Sequence, residues 1–205
     1  MQKGDQANAR RALDTLEARI PPNLVALEYP YSSILVDIYS RAGNEAKARA
    51  YARFTADKIR NMMLADPNWR ENDPYARQMR VDYTFADMLL RAGEYDSAKV
   101  AFATLKSAAQ PAEAALFDLK IEEAEGRKLD EAGNKQAALA KYNDIAAKLQ
   151  RDGADISRES PSMAERRIAL AKELGVPLPA VPRDSTPAKM AQDTPGKKDG
   201  TAQQH

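Results

Sequence analysis

No cysteine occurs in the 205 residues, and the single histidine is the last residue, His205. The first absence excludes disulfides, thiolate nucleophiles and thiolate-held metals. The second confines the commonest general base and metal ligand to the chain terminus. Charge of one sign is also missing: 31 Lys and Arg stand against 30 Asp and Glu, a net charge of +1. Bulk charge therefore argues against a nucleic-acid binder, since such proteins concentrate positive charge. No apolar run approaches the ~18 residues needed to cross a bilayer, so no segment is expected to insert directly into a membrane. No apolar signal-peptide stretch follows Met1–Gln6. What is present is apolar material, 43% of the chain, enough to build a core. The length suits one domain with a tail.

Ala, Leu, Glu, Lys, Arg and Gln dominate the first 175 residues, and these are the strong helix formers. No run of alternating β-branched residues marks a strand. Gly and Pro recur at intervals and divide the chain into helix-length segments. The pattern predicts helices over 5–19, 31–42, 44–65, 74–92, 94–108, 112–132, 134–151 and 161–174. Asn44, Asn134, Asp73 and Ser160 are placed as N-caps, the last two with Pro at the first helical position. Gly43, Gly93 and Gly133 are placed at helix ends, where a left-handed residue is needed. The fold class is all-α, a helical-repeat domain over 1–175. Residues 176–205 hold five of the twelve prolines and few apolar residues. They form a Pro-rich tail expected to be disordered, because they bury too little to offset ordering entropy.

The turn glycines Gly4, Gly43, Gly93 and Gly133 head an internal repeat. Five residues after each stands an alanine: Ala9, Ala48, Ala98 and Ala138. Nine after come Leu13, Ala52, Phe102 and Tyr142. Seven before the last three stand Val36, Ala86 and Gly126. Small residues at these offsets let two helices of a hairpin approach closely, and the large apolar ones fill the space between. A joint pattern at such a period points to stacked helical hairpins.

The segment Phe85-Ala-Asp-Met-Leu-Leu-Arg-Ala-Gly-Glu-Tyr-Asp-Ser-Ala98, with Phe102, resembles the tetratricopeptide repeat. Gly126 through Gly133, with Ala138 and Tyr142, resembles it next most closely. The spacings are longer than that family's usual repeat, and the extra length between Gly43 and Gly93 falls in 66–74. The resemblance covers about residues 1–151. It implies antiparallel hairpins stacked as a short tetratricopeptide-like solenoid, whose inner helices line a concave binding face.

A narrower resemblance rests on Ile20-Pro-Pro22, Tyr29-Pro-Tyr31 and Asp37-Ile-Tyr-Ser-Arg-Ala-Gly-Asn-Glu-Ala-Lys-Ala48. Over about 1–60 these are similar to the soluble C-terminal region of bacterial protein O-mannosyltransferase-like enzymes, multi-spanning membrane glycosyltransferases. None of that family's active-site residues carries over. Gly4 is a turn glycine with no helix before it, which would leave Leu13 and Leu16 without partners. The chain is therefore expected to be a piece of a longer one, or to pack its first helix differently.

Counting back from the turn glycines, the inward positions are Ser33, Asp37 and Arg41, then Arg80, Tyr83, Asp87 and Arg91, then Lys120, Glu123 and Arg127. The candidate concave-face binding residues are Asp37, Arg41, Arg80, Tyr83, Asp87, Arg91, Lys120 and Arg127. Asp37/Arg41 and Asp87/Arg91 recur at the same repeat positions. They read either as i,i+4 ion pairs along each helix or as groups facing the groove. Tetratricopeptide modules that grip a terminal carboxylate use a Lys/Asn/Arg set, and the asparagines are missing here. A mixed-charge or basic segment is expected instead. The tyrosines and Trp69 read as packing, with Trp69 pinning its loop. Glu122, Glu123 and Glu125 read as a solvated charge run rather than a glycosidase pair.

The sequence thus predicts a non-catalytic helical-repeat module for protein–protein interaction, with no cofactor, no metal and no nucleic acid. Its partner would be a protein or peptide segment, or the membrane domain of its own parent chain. The alternative is a C-terminal accessory domain of a membrane glycosyltransferase, known by the parent's activity. The compartment follows from that choice: the periplasmic face of the inner membrane for the alternative, the cytoplasm otherwise.

Overall fold

A computed structural model describes residues 8, 11–15, 18–19, 28–73, 75 and 80–179. Among them every regular element is a helix and no strand occurs. Of the expected 176–205 tail, residues 176–179 are described, and Leu178 packs on a hydrophobic core that includes Leu170 and Ala171. Its part from 180 onward, Gly4, Ala9, Leu16 and the Ile20–Pro22 segment lie outside the described residues. In chain order the helices are α1 (Tyr29–Arg41), α2 (Glu45–Ala65), α3 (Trp69–Asn72), α4 (Val81–Ala92) and α5 (Tyr95–Ser107). There follow α6 (Pro111–Glu131), α7 (Lys135–Arg151), α8 (Ile156–Glu159) and α9 (Pro161–Leu174). Each long helix packs on its neighbours in the chain: α1 on α2, α2 on α4, α4 on α5, α5 on α6, α6 on α7 and α7 on α9.

The turns that join α1 to α2, α4 to α5 and α6 to α7 follow from glycine. Gly93 ends α4 at φ +84°, a backbone that side chains with a Cβ rarely adopt. Of the expected caps, Asn44 accepts a hydrogen bond from the Lys47 backbone N–H at 3.3 Å. Asn134 and Ser160 make no side-chain cap bond.

α1 starts two residues earlier than expected, with Pro30 in its first turn, where proline leaves no helical bond broken. The helix expected from 74 begins only at Val81, and Tyr75 and Arg80 lie in turns. Asp73 is the reason on the described side. Its carboxylate takes the Tyr75 backbone N–H (2.9 Å) and the Tyr29 hydroxyl (2.7 Å), which tie the chain into a local turn and to the start of α1. Within 66–73 the chain makes the short α3, and Trp69, 6% exposed, packs with Tyr29, Ile59 and Val81. The tryptophan pins its loop, as expected.

The main core joins α1, α2, α4, α5 and α6 through Val36, Tyr39, Ala52, Ala86, Leu89, Phe102 and Phe117. A second core joins α6, α7 and α9 through Leu119, Tyr142, Ile145, Met163 and Leu170. α6 serves both. Ala48, Ala98 and Ala138 are all buried. Leu13, expected to lack a partner, is 8% exposed and belongs to the main core. Residues 11–15 and 18–19 are helical, and Asp14 pairs with Lys47 of α2 at 3.0 Å. No described helix is long and apolar enough to cross a membrane.

Candidate functional site

Because α1, α4, α6 and α9 each present one face to the same side, they line a common cleft of about 770 Å³. α2, α5 and α7 contribute Glu45, Ala48, Arg49, Tyr95 and Tyr142 at its base and rim. The cleft gathers Asp37, Arg41, Asp87, Arg91, Lys120 and Arg127, six of the eight candidate residues, together with Glu123.

Arg80 and Tyr83 are not among them. With α4 starting at Val81, Arg80 precedes the helix. Its guanidinium pairs with Glu113 and lies over the rings of Tyr83 and Phe117. Tyr83 packs on Phe102 and Phe117. Both residues line a separate, smaller pocket beside Trp69 and Leu105. Ser33 also stays out of the cleft and donates its hydroxyl to the Pro30 carbonyl at 2.8 Å.

The floor of the cleft is a ladder of alternating charge running across the helices. Asp37 on α1 accepts from Arg91 on α4 at 2.6 Å, and the same guanidinium binds Asp87 one turn back at 2.8 Å. Lys120 on α6 stands 3.9 Å from Asp87 and 3.2 Å from Glu123. Glu123 accepts from Arg127 at 2.8 Å, and Arg127 donates to Ser162 of α9 at 3.0 Å. The i,i+4 reading therefore holds for Asp87/Arg91, which also bridges helices. It fails for Asp37/Arg41: Asp37 faces Arg91, and Arg41 forms no ion pair among the described residues.

Glu123 departs from the expected solvated run. Its side chain is 2% exposed, which makes it the deepest charge in the ladder. Burial alone raises its carboxyl pKa, but the charges of Arg127 and Lys120 prevail and hold it below the usual carboxylate range. A second cluster sits beside the ladder. Glu131 accepts from Arg49 and from the Tyr95 hydroxyl at 2.6 Å. A third joins Arg166 of α9 to Asp130 of α6 at 2.5 and 2.8 Å. These two clusters were missed from sequence, though a signal existed. Six and two residues before the turn glycines stand Asp37/Arg41 and Asp87/Arg91, but Arg127/Glu131 before Gly133, with the signs exchanged. The exchange gives α6 a carboxylate to meet Arg49 and a cation to hold Glu123.

The tyrosines behave as packing groups. Tyr39 stacks on Tyr51 at 5.3 Å, and burial pushes the Tyr142 hydroxyl up to about 12. Tyr31 alone among the described tyrosines is mostly exposed. No group of three metal-ligating side chains occurs among the described residues.

No protein-family model, curated protein or solved structure matches the chain. The Asp37–Ala48 stretch behind the glycosyltransferase resemblance is a helix–glycine–helix junction like those at Gly93 and Gly133.

Proposed function

We propose that the chain is a non-catalytic helical-repeat module, a short tetratricopeptide-like solenoid whose cleft receives a protein or peptide segment. The observation that carries this reading is the shared cleft itself, lined by one helix from each successive hairpin. Repeat proteins bind along such concave surfaces because every repeat presents the same face. The electrostatics favour binding over acid–base catalysis. A glycosidase acid needs a carboxyl pKa raised toward neutrality. The displaced carboxyls here are all displaced downward, Glu123, Glu125, Asp96 and Glu173 by neighbouring cations and Glu131 by the Tyr95 hydroxyl and Arg49.

The ladder also argues against a terminal-carboxylate clamp. Arg91, Lys120 and Arg127 already hold Asp37, Asp87 and Glu123, so a ligand carboxylate would have to displace a neighbour already in place.

The test is selection of peptides against the chain from a random displayed library, followed by titration of the selected peptides. Ser40→Trp and Ser162→Trp place bulk on opposite sides of the cleft, at residues that lie outside the core. Both variants are expected to keep the helical melting curve and to lose binding. Binding undiminished by either, or a selection that yields nothing, removes the cleft from this role.

A further inference from the structure

Thirteen Asp, Glu, Lys and Arg side chains line the cleft, seven acidic and six basic. Ten of them are engaged in the three clusters described above. The three left over are Arg41, Glu45 and Glu165. Each is exposed and forms no ion pair or side-chain hydrogen bond with any described residue. Arg41 and Glu45 flank the Gly43 turn at one side of the cleft, and Glu165 stands on α9 at another.

Engaged charges are poor ligands for a newcomer, because each must give up a partner of opposite sign. Free charges gain a partner without losing one. The engaged charges balance, five acidic and five basic, so the ionic preference of the cleft is set by two free carboxylates against one free guanidinium. We propose that the segment this cleft takes is basic, with Lys or Arg side chains meeting Glu45 and Glu165 while its backbone lies over the neutralised ladder. The proposal rests on the peptide-binding reading above and adds to it the charge of the partner.

The experiment is fluorescence-anisotropy titration of the intact chain with three labelled twelve-residue peptides. They share the same alanine and leucine content, are capped at both ends, and carry four lysines, four glutamates or four glutamines. The lysine peptide is expected to bind tightest and to weaken in 0.5 M NaCl, where the screening length falls to a few ångströms. Glu45→Gln and Glu165→Gln are each expected to weaken the lysine peptide by roughly two- to fivefold at low salt. They are expected to leave the glutamine peptide unchanged. Arg41→Gln is expected to leave the lysine peptide at least as tight. Equal or tighter binding of the glutamate peptide overturns the proposal, as does a lysine peptide indifferent to the double Gln variant. The library selection separates the two readings. Acidic or neutral selected peptides that Ser40→Trp or Ser162→Trp displaces overturn the basic preference and leave the cleft reading standing. No peptide bound in either experiment overturns both.

Discussion

The ring of Tyr142 occupies the space that a side chain at Gly126 would need. A Cβ built on Gly126 would stand 2.4 Å from Tyr142 Cε1 and 3.0 Å from Cδ1. Gly126 sits in the middle of α6, where glycine costs about 0.5–1 kcal/mol relative to alanine. Gly126→Ala would recover that helix energy if the space were free. The Tyr142 ring is buried in the second core, so overpacking of about 1–3 kcal/mol should prevail. Denaturant unfolding should show a net loss of about 1–2 kcal/mol. The double variant Gly126→Ala with Tyr142→Leu should lose less than the two single changes added together, because the smaller side chain removes the clash. An alanine variant as stable as the parent would mean that α6 and α7 are not in close contact there.

Arg91 and Arg41 hold equivalent repeat positions but different surroundings, and their alanine variants should differ. Arg91 ties Asp37 to Asp87, and Asp87 is nearly buried. Arg91→Ala leaves Asp87 with Lys120 at 3.9 Å as its remaining ionic neighbour and should cost about 1–2 kcal/mol. Arg41→Ala should stay within about 0.5 kcal/mol of the parent, as for an exposed residue without partners. A cycle of Asp37→Asn and Arg91→Ala should give a coupling of about 0.5–1 kcal/mol, small because one partner is exposed. Equal losses for Arg41 and Arg91, or zero coupling in that cycle, would show that the ladder does not link α1 to α4 in solution.

The sequence made these hairpins readable wherever a local rule and the tertiary packing agreed. Ala48, Ala98 and Ala138 are buried, and Gly126 has no room for a Cβ, which leaves a spacing of small residues visible without a structure. Glycine at the turns is equally visible. The start of α4 was not, because Pro74 after Asp73 imitates a helix start while the Asp73 carboxylate is engaged by Tyr29, 44 residues away. That error carried Arg80 into the groove, because positions counted back along a continuous helix assume that the helix exists; Tyr83 lies on α4 but turns its ring to Phe102 and Phe117. The pairing of Asp37 with Arg91 rather than Arg41 was also hidden, since i,i+4 spacing says who can meet along a helix but not who stands closer across a groove. The burial of Glu123 followed from two cations at i−3 and i+4, a pattern in plain view that composition alone reads as surface.

Arg166 and Arg167 are adjacent on α9 and should respond oppositely to loss of charge. Arg166 makes a two-point contact with Asp130, whose side chain is largely buried. Arg167 is 7% exposed, and its one side-chain partner among the described residues is the Asn143 amide oxygen at 2.6 Å. Burial without a carboxylate partner lowers its pKa, the direction expected of a cation that is poorly compensated. Arg167→Met keeps the length and removes the charge. It should leave stability unchanged or raise it by up to about 1 kcal/mol, since apolar replacement of buried charge is often favourable. Arg166→Met strands Asp130 and should cost about 2 kcal/mol. Thermal melts at pH 7 distinguish them, and a destabilised Arg167→Met variant would show that the guanidinium has an anionic partner in solution.

Glu123 should make the fold sensitive to acid. Its carboxyl pKa is depressed in the folded chain, because Arg127 and Lys120 outweigh the opposing effect of burial. A depressed carboxyl contributes stability that is fully present above its unfolded value of about 4.3 and is lost as pH falls through the lower folded value. Glu131, held down by Tyr95 and Arg49 against burial, and Glu125, held down by Lys141 and Lys99, act in the same direction. Unfolding free energy should therefore be nearly flat from about pH 6 to 8 and fall steeply below about pH 4.5. Glu123→Gln keeps the shape and removes the anion between two cations. It should cost about 2–3 kcal/mol at pH 7, and it should also flatten the acid limb, because one of the carboxyls that responds to acid is gone. The two effects must occur together. A variant that loses stability at pH 7 but keeps the parent's full acid dependence would mean that Glu123 serves as a packed amide-like group and that its charge is not what joins Lys120 to Arg127.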